Sequence, residues 1–513
     1  MTILKFFVYF FCFGVLSTGF SQDDDWYNLD YEENGILGAS VNKVYKTTSE
    51  FCESSVIVAV IDSGVDIDHE DLEGRIWFNK DEIPGNGVDD DGNGYVDDIN
   101  GWNFIGGTDG NIIHETLEIV RLYRDGINKN PEDSSLKKYE EVINHEIQEA
   151  KSELESVSGM YAMFDHAYSI LADLLGELPF NTENIRSINM EGQEIKEAKE
   201  IMLKLYDNGY TIKDILDHKS YLTSKLDYYY NVDYNPRGIV GDDPNNFDDR
   251  DYGNPDVKGE RADHGTHVAG IIAAVRGNNI GMDGIASKVE IMSIRSVPDG
   301  DERDKDIANA IRYAVDNGAR IINMSFGKGY TIGKQAIDEA VDYAMKNDVL
   351  LIHAAGNSSL NIDVSDNFPT RFYLNGEEAA NWIEVGASNK IIDEYLPADF
   401  SNYGRKKVDI FAPGVDIYST TPNNNYKKNS GTSMAAPVVT GAAAYLLSCF
   451  PNLNSTQVKN ILLSSAYPLR GLKVRYPASS SERDEKDKFK KLSKTGGIVN
   501  LHNAIELASK KYK

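Results

Sequence analysis

Three short segments carry residue types suited to nucleophilic chemistry. Gly431-Thr432-Ser433-Met434-Ala435-Ala436-Pro437 leads into the small apolar run from Val438 to Leu447, which puts Ser433 at the start of a buried helix. A hydroxyl nucleophile there gains from the helix dipole and from first-turn N–H groups free to bind an oxyanion. His264-Gly265-Thr266-His267-Val268-Ala269-Gly270 opens a second helix rich in small residues. A neutral imidazole can take the serine proton and return it to a leaving amine, and by composition either His264 or His267 serves. Asp62 closes the run Val56 to Ile61 and supplies a carboxylate able to hold an imidazole tautomer and stabilise the imidazolium. Each has a plainer explanation: a serine that only caps a helix, an aspartate before glycine that only forms a turn. Their joint presence is what points to chemistry.

The elements that must position these groups form a regular pattern. Val56 to Ile61 is rich in β-branched residues and ends in Asp62-Ser63-Gly64, the pattern of a buried parallel strand followed by a turn. Similar runs recur at Val289 to Ile294, Ala319 to Met324, Val349 to Ala354, Trp382 to Val385 and Val408 to Ile410, with helical patterns between several of them, such as Asp304 to Asn317 and Lys334 to Asn347. Strand alternating with helix predicts an α/β fold, a mainly parallel sheet flanked by helices. In such sheets functional groups collect at the carboxyl ends of strands, where Asp62, Ser325 and Asn357 fall.

Residues 111–231 interrupt the pattern. From Leu136 the apolar positions Tyr139, Ile143, Ile147, Ala150, Leu154, Val157, Tyr161, Phe164, Tyr168, Leu171 and Leu175 alternate three and four apart. That spacing predicts an amphipathic helix of roughly ten turns, ended by Pro179. Ile195, Ala198, Met202 and Leu205, then Ile215, Leu222, Leu226 and Tyr229, predict two shorter helices packed against it. The expected organisation is therefore a catalytic unit in two pieces, 22–110 and 232–513, around a helical insertion. The insertion is either a structural appendage or a contact surface for substrate or a protein partner.

Residues 1–21 begin with Lys5, pass through the apolar block Phe6 to Leu16 and end in small residues around Gly19 and Ser21, the layout of a signal peptide. The apolar block falls short of the roughly 20 residues a membrane span needs. The bulky residues around Cys12 do not suit lipid attachment at a processed cysteine. The expected location is across the inner membrane, periplasmic or extracellular. The 52 basic against 81 acidic residues give a net charge of −29, which repels nucleic acid and anionic lipid and makes neither an expected partner. After signal removal only Cys52 and Cys449 remain. They either pair or sit as two small buried hydrophobes.

The Asp, His and Ser segments, in that order, resemble the subtilisin-like serine peptidases, the subtilase family. The match runs through Val58 to Asp66, His264 to Gly270, Asn323 to Gly327, Ala354 to Asn357 and Gly431 to Pro437. The resemblance implies a secreted serine endopeptidase that acts on protein or peptide substrates through an acyl-enzyme, with Ser433 as nucleophile, His264 as general base, Asp62 as orienting acid and Asn357 as side-chain oxyanion donor. It leaves His267 as a packing residue and makes Ser325, Phe326 and Gly327 the strand that pairs with substrate and walls the primary specificity pocket. Phe326 and His353 flank pocket-lining positions, and Gly376 to Asn381 carries an extra loop nearby. Two other readings use the same residues: a catalytically silent binding protein on this fold, and a dedicated processing peptidase with the insertion as a docking module. The resemblance also implies that the stretch before Asp62 is too short for the folded inhibitory pro-domain many subtilases carry, and that Gly496 to Asn500 with the following helix is the closing element. Because the insertion falls between Asp62 and His264, it is expected to emerge near the active-site face and shape access to the cleft.

Asp89-Asp90-Asp91-Gly92-Asn93-Gly94-Tyr95-Val96-Asp97-Asp98 places oxygen side chains at alternate positions around tight-turn glycines. It resembles the first half of a calcium-binding loop, with Asp89, Asp91 and Asn93 as side-chain ligands, Tyr95 offering its carbonyl, and Asp98 or Asp97 closing the shell. Calcium is expected as a structural ion, with no cofactor for the chemistry. The acidic run Asp242, Asp243, Asp248, Asp249 and Asp251 is less regular and predicts no site.

Overall fold

In the computed structural model the described residues are 25–48, 52–176, 178, 180–208, 211–478 and 485–512. The predicted signal peptide, Cys12 and Pro179 lie outside them.

The apolar runs assemble into one sheet. Its strands are β1 (Val56–Asp62), β2 (Gly101–Asn103), β3 (Val289–Arg295), β4 (Ile321–Met324), β5 (Leu350–Ala354), β6 (Trp382–Ser388), β7 (Ile410–Pro413), β8 (Tyr467–Pro468) and β9 (Gly497–Ile498), in the order β8-β9-β7-β6-β5-β4-β1-β3-β2. Every pairing is parallel except β8 with β9. This is the α/β architecture expected from the strand–helix alternation. Side chains alternate faces along each strand, so Val56, Val58 and Val60 enter one core while Ala59 and Ile61 enter the other. The first core is covered by the helices Asp263–Ala273, Thr432–Cys449 and Leu501–Lys511, the second by Asp304–Asp316 and Lys334–Lys346. Order reverses around β1, with β3 on one side and β4 on the other, and the cleft of an open α/β sheet forms at such a switch.

The helix Thr432–Cys449 is long and apolar enough to cross a membrane, but it is buried as the central helix of the fold. The N-terminal stretch is part of the core. Trp26 and Tyr27 are fully buried, Trp26 Nε1 donates to the Val415 carbonyl at 3.2 Å, and the Tyr27 hydroxyl donates to that of Asp283 at 3.0 Å. Cys52 and Cys449 form a disulfide across 397 residues, which resolves the alternative their sequence positions left open.

The insertion has its own core. Its long helix spans Ser135–Leu175, about 60 Å at 1.5 Å per residue. Ile143, Ala150, Val157, Phe164 and Leu171 are its buried seam, a seven-residue repeat, while Tyr168 lies outside it and stacks on Phe180 at 4.2 Å. The helices Gln193–Asp207 and Ile212–Ser224 pack against this seam through Ala198, Met202, Leu205, Ile215 and Leu222. A further helix that the apolar spacing did not announce, Glu118–Lys129, forms the base. There the Glu118 N–H donates to Asp301 at 2.7 Å, and Arg121, buried against Glu118, donates to the carbonyls of Asp301 and Glu302. The acidic run nearby serves structure: Asp242 pairs with Arg237 at 2.6 Å and, together with Asp249, holds the buried Lys305.

Candidate active site

Asp62 ends β1 and is buried, with its Oδ1 2.7 Å from His264 Nδ1 and 2.7 Å from the Ser63 N–H that donates to it. His264 is the second residue of the helix Asp263–Ala273. The helix can begin this close to the Asp62 turn because Gly265 follows: a Cβ there would lie 2.2 Å from the Gly64 carbonyl oxygen and 3.1 Å from Asp62 Cβ. Desolvation opposes charge on the His264 ring, yet the Asp62 carboxylate outweighs it and the imidazole pKa stands above its ordinary value. His267, one turn on, is buried and donates from Nε2 to the Lys427 carbonyl at 3.0 Å; burial holds its pKa down to about 4. Of the two histidines, His264 is the one set against the carboxylate.

Ser433 is the second residue of the helix Thr432–Cys449 and half-buried at the cleft. Its Oγ donates to the Ser325 carbonyl at 3.1 Å, and Ser325 Oγ donates back to the Ser433 carbonyl at 3.0 Å. Behind them, Asn323 Nδ2 donates to Ser325 Oγ and Thr440 Oγ1 donates to Asn323 Oδ1, lacing the end of β4 to the helix interior. Asn357 Oδ1 accepts from the Thr432 N–H at 2.8 Å and from its hydroxyl at 2.9 Å. With Oδ1 engaged, Nδ2 is the free end of the carboxamide. Nδ2 and the Ser433 backbone nitrogen lie 3.5 and 3.6 Å from the point a Gly431 Cβ would occupy, so the two donors converge beside a space that glycine keeps open. Asn402, which no motif announced, steadies this loop: its Oδ1 accepts from the N–H groups of Ser358 and Leu360, and its Nδ2 donates to the Ala355 carbonyl.

These groups surround a cleft of about 310 Å³ lined by Phe326, Gly327, Gly356, Asn357, Asn367 and Ser433 among others. The insertion is tied in close by. Asp299 accepts from the Tyr229 hydroxyl, and its carboxylate lies 3.0 Å from His114 Nδ1 and 3.4 Å from Arg261, three residues before His264.

In the acidic loop, carboxylate oxygens of Asp91 and Asp98 meet one from Glu82 within 4.8 Å of one another. Glu82 is buried nine residues before Asp91 and matches no loop spacing, so its part emerges only from the fold. Asp89 lies outside this cluster and accepts from the N–H groups of Gly92, Asn93 and Gly94. The Tyr95 ring packs on Trp102 and Tyr313. Burial pushes the Asp98 carboxyl up to about 6, against hydrogen bonds from Tyr313, Asn79 and Asn93. Three converging carboxyl groups, two of them buried, with the carboxamides of Asn79 and Asn93 beside them, are a hard-oxygen donor set that fits a divalent cation of the calcium kind.

An aspartate at a strand end, a histidine and a serine at two helix N-termini, and two converging amide donors thus meet on one mainly parallel α/β sheet. Residues 53–497 match the Subtilase family, and the chain belongs to it. The chain is 39% identical over 207 residues to subtilisin DY of Bacillus licheniformis, covering 40% of this chain and 70% of that one. It is 38% identical over 245 residues to a thermophilic serine proteinase of Bacillus sp. (strain AK1), covering 47% and 55%, and 38% identical over 186 residues to thermitase of Thermoactinomyces vulgaris, covering 36% and 61%. It thus spans less than two thirds of the length of the latter two.

Proposed function

We propose that this chain is a secreted serine endopeptidase acting on proteins through an acyl-enzyme. The observation that carries the reading is the 2.7 Å contact between His264 Nδ1 and the buried Asp62 Oδ1, together with Ser433 and the free amide of Asn357 on the cleft lining. Asp62 holds the Nδ1–H tautomer, which leaves the His264 Nε2 lone pair for the nucleophile. In the reaction the Ser433 hydroxyl leaves the Ser325 carbonyl for that lone pair. Its proton passes to Nε2 as Oγ attacks the scissile carbonyl, and Asn357 Nδ2–H and the Ser433 N–H stabilise the oxyanion. The imidazolium then protonates the departing amine. In the second half of the cycle His264 takes a proton from water, which attacks the acyl ester and frees Ser433.

Glu82, Asp91 and Asp98, with the Asn93 carboxamide beside them, would hold a calcium ion that neutralises their mutual repulsion and rigidifies the loop. Residues 22–110 and 232–513 form the catalytic unit. The intervening 111–231 govern which proteins reach the cleft, a role supported by the Asp299 contacts to His114 and Tyr229 beside Arg261.

The test is labelling of the calcium-loaded protein with a fluorophosphonate, alongside digestion of an unfolded protein substrate. Labelling that disappears in Ser433→Ala, with cleavage lost in parallel, is expected. A wild-type protein that neither labels nor cleaves is instead a silent binding member of the family. Replacing residues 130–226 with a short Gly-Ser linker is expected to change cleavage of folded proteins more than cleavage of short peptides, and equal effects would remove the access role.

A further inference from the structure

The primary pocket of this peptidase has a polar floor, and its chemistry defines the residue accepted before the scissile bond. Virtual Cβ atoms on Gly327 and Gly356, one from each wall of the cleft, both approach Asn367 Oδ1, at 3.4 and 3.5 Å. The carboxamide oxygen therefore closes the space between the two walls. Its orientation follows from its other end, since Nδ2 lies 3.5 Å from Glu384 Oε1 and donates toward it. The reverse orientation would set the amide oxygen against a carboxylate.

Glu384 is buried and held in place, its Oε1 3.0 Å from His353 Nδ1 and its Oε2 accepting from Trp382 Nε1 at 2.8 Å. The His353 ring sets Nδ1 against Glu384 and turns its Nε2 the other way. That nitrogen is fully buried, has no hydrogen-bond partner, and lies 3.7 Å from the Gly327 virtual Cβ. The floor thus offers the acceptor Asn367 Oδ1, with the Glu384 carboxylate behind it. Asp366 adds an exposed carboxylate to the lining. Lys328 also lines the cleft, but its Nζ is spent on Asp304 at 2.9 Å and on the Glu302 carbonyl at 2.7 Å. An apolar side chain reaching this floor would leave that acceptor desolvated and unpaired, whereas a terminal cation supplies the missing donor and meets the carboxylate field.

The geometry points to a pocket that selects a lysine or arginine side chain before the scissile bond, with Asn367 as the specificity-determining residue. This rests on the peptidase reading above. Peptides identical except at that position, carrying Lys, Arg, Gln, norleucine, Phe or Glu, provide the test. Lys and Arg are expected to exceed norleucine in kcat/KM by about ten- to a hundredfold, the scale of one charge-assisted hydrogen bond. Asn367→Leu is expected to bring the Lys-to-norleucine ratio to one or below while Ser433 still labels with the fluorophosphonate. Asp366→Asn, at an exposed position that carries no folding risk, is expected to lower the same ratio more mildly. Norleucine or Phe matching Lys, Gln matching Lys, or a ratio unmoved in both variants overturns the assignment. A labelled enzyme with a flat or apolar profile sinks this inference alone, whereas absence of both labelling and cleavage sinks the peptidase reading with it.

Discussion

Thr432 holds Asn357 by both of its polar groups, N–H and hydroxyl, at 2.8 and 2.9 Å from a single oxygen. One residue thus precedes Ser433, the proposed nucleophile, and fixes which end of the Asn357 carboxamide faces the cleft. Asn357→Ala is expected to lower kcat by about 10² to 10³ with little change in KM, because the lost donor acts on charge that exists only after attack. Thr432→Val keeps the backbone bond and loses the hydroxyl one, so its loss in kcat should be about three- to tenfold. Steady-state kinetics on one peptide substrate check both.

The Asp62 carboxylate raises the His264 pKa, so the acid limb of kcat/KM should have its midpoint above the ordinary histidine value. The base works only when neutral, and activity falls as pH drops through that midpoint. Asp62→Asn removes the raising interaction, which should move the limb to lower pH and cut kcat by about 10⁴ through loss of the correct tautomer. A limb that stays put in the variant would assign it to another group.

His267 gives a pH dependence of stability rather than of rate. Its folded pKa, about 4, lies below the unfolded value near 6.5, so the unfolded chain binds the extra proton. Its contribution is complete above pH 6.5 and is lost as pH falls toward 4, at most about 3 kcal/mol by the usual conversion. Urea unfolding of Ser433→Ala at pH 7.5, 5.5 and 4.5 should show this decline, and adding His267→Asn should flatten it.

Chelation should lower the melting temperature of the Ser433→Ala protein, since an ion bound only by the folded state adds about 3 kcal/mol at a hundred times its dissociation constant. Glu82→Gln should shift the calcium concentration for half-restoration upward. Unchanged melting on chelation would eliminate the site, and an unchanged midpoint in the variant would remove Glu82 from it.

What the sequence alone determined is whatever repeats locally. The β-branched runs mark the strands, the seam of the long helix follows from its apolar spacing, and Asp62, His264 and Ser433 stand out because each sits in a short segment that must approach backbone closely. The cysteine pair, the helix Glu118–Lys129 and the acidic cluster could not be read in that way. Cys52 and Cys449 meet across 397 residues, Glu118–Lys129 owes its burial to charged contacts with the loop after β3, and Glu82 joins Asp91 and Asp98 only because its loop folds back over them. Composition left His264 and His267 open and the family resemblance chose His264, while the tertiary structure sets it against the carboxylate and alone places Asn367 between two glycine walls. Those relationships depend on distances between segments far apart in the chain, and no local period encodes them.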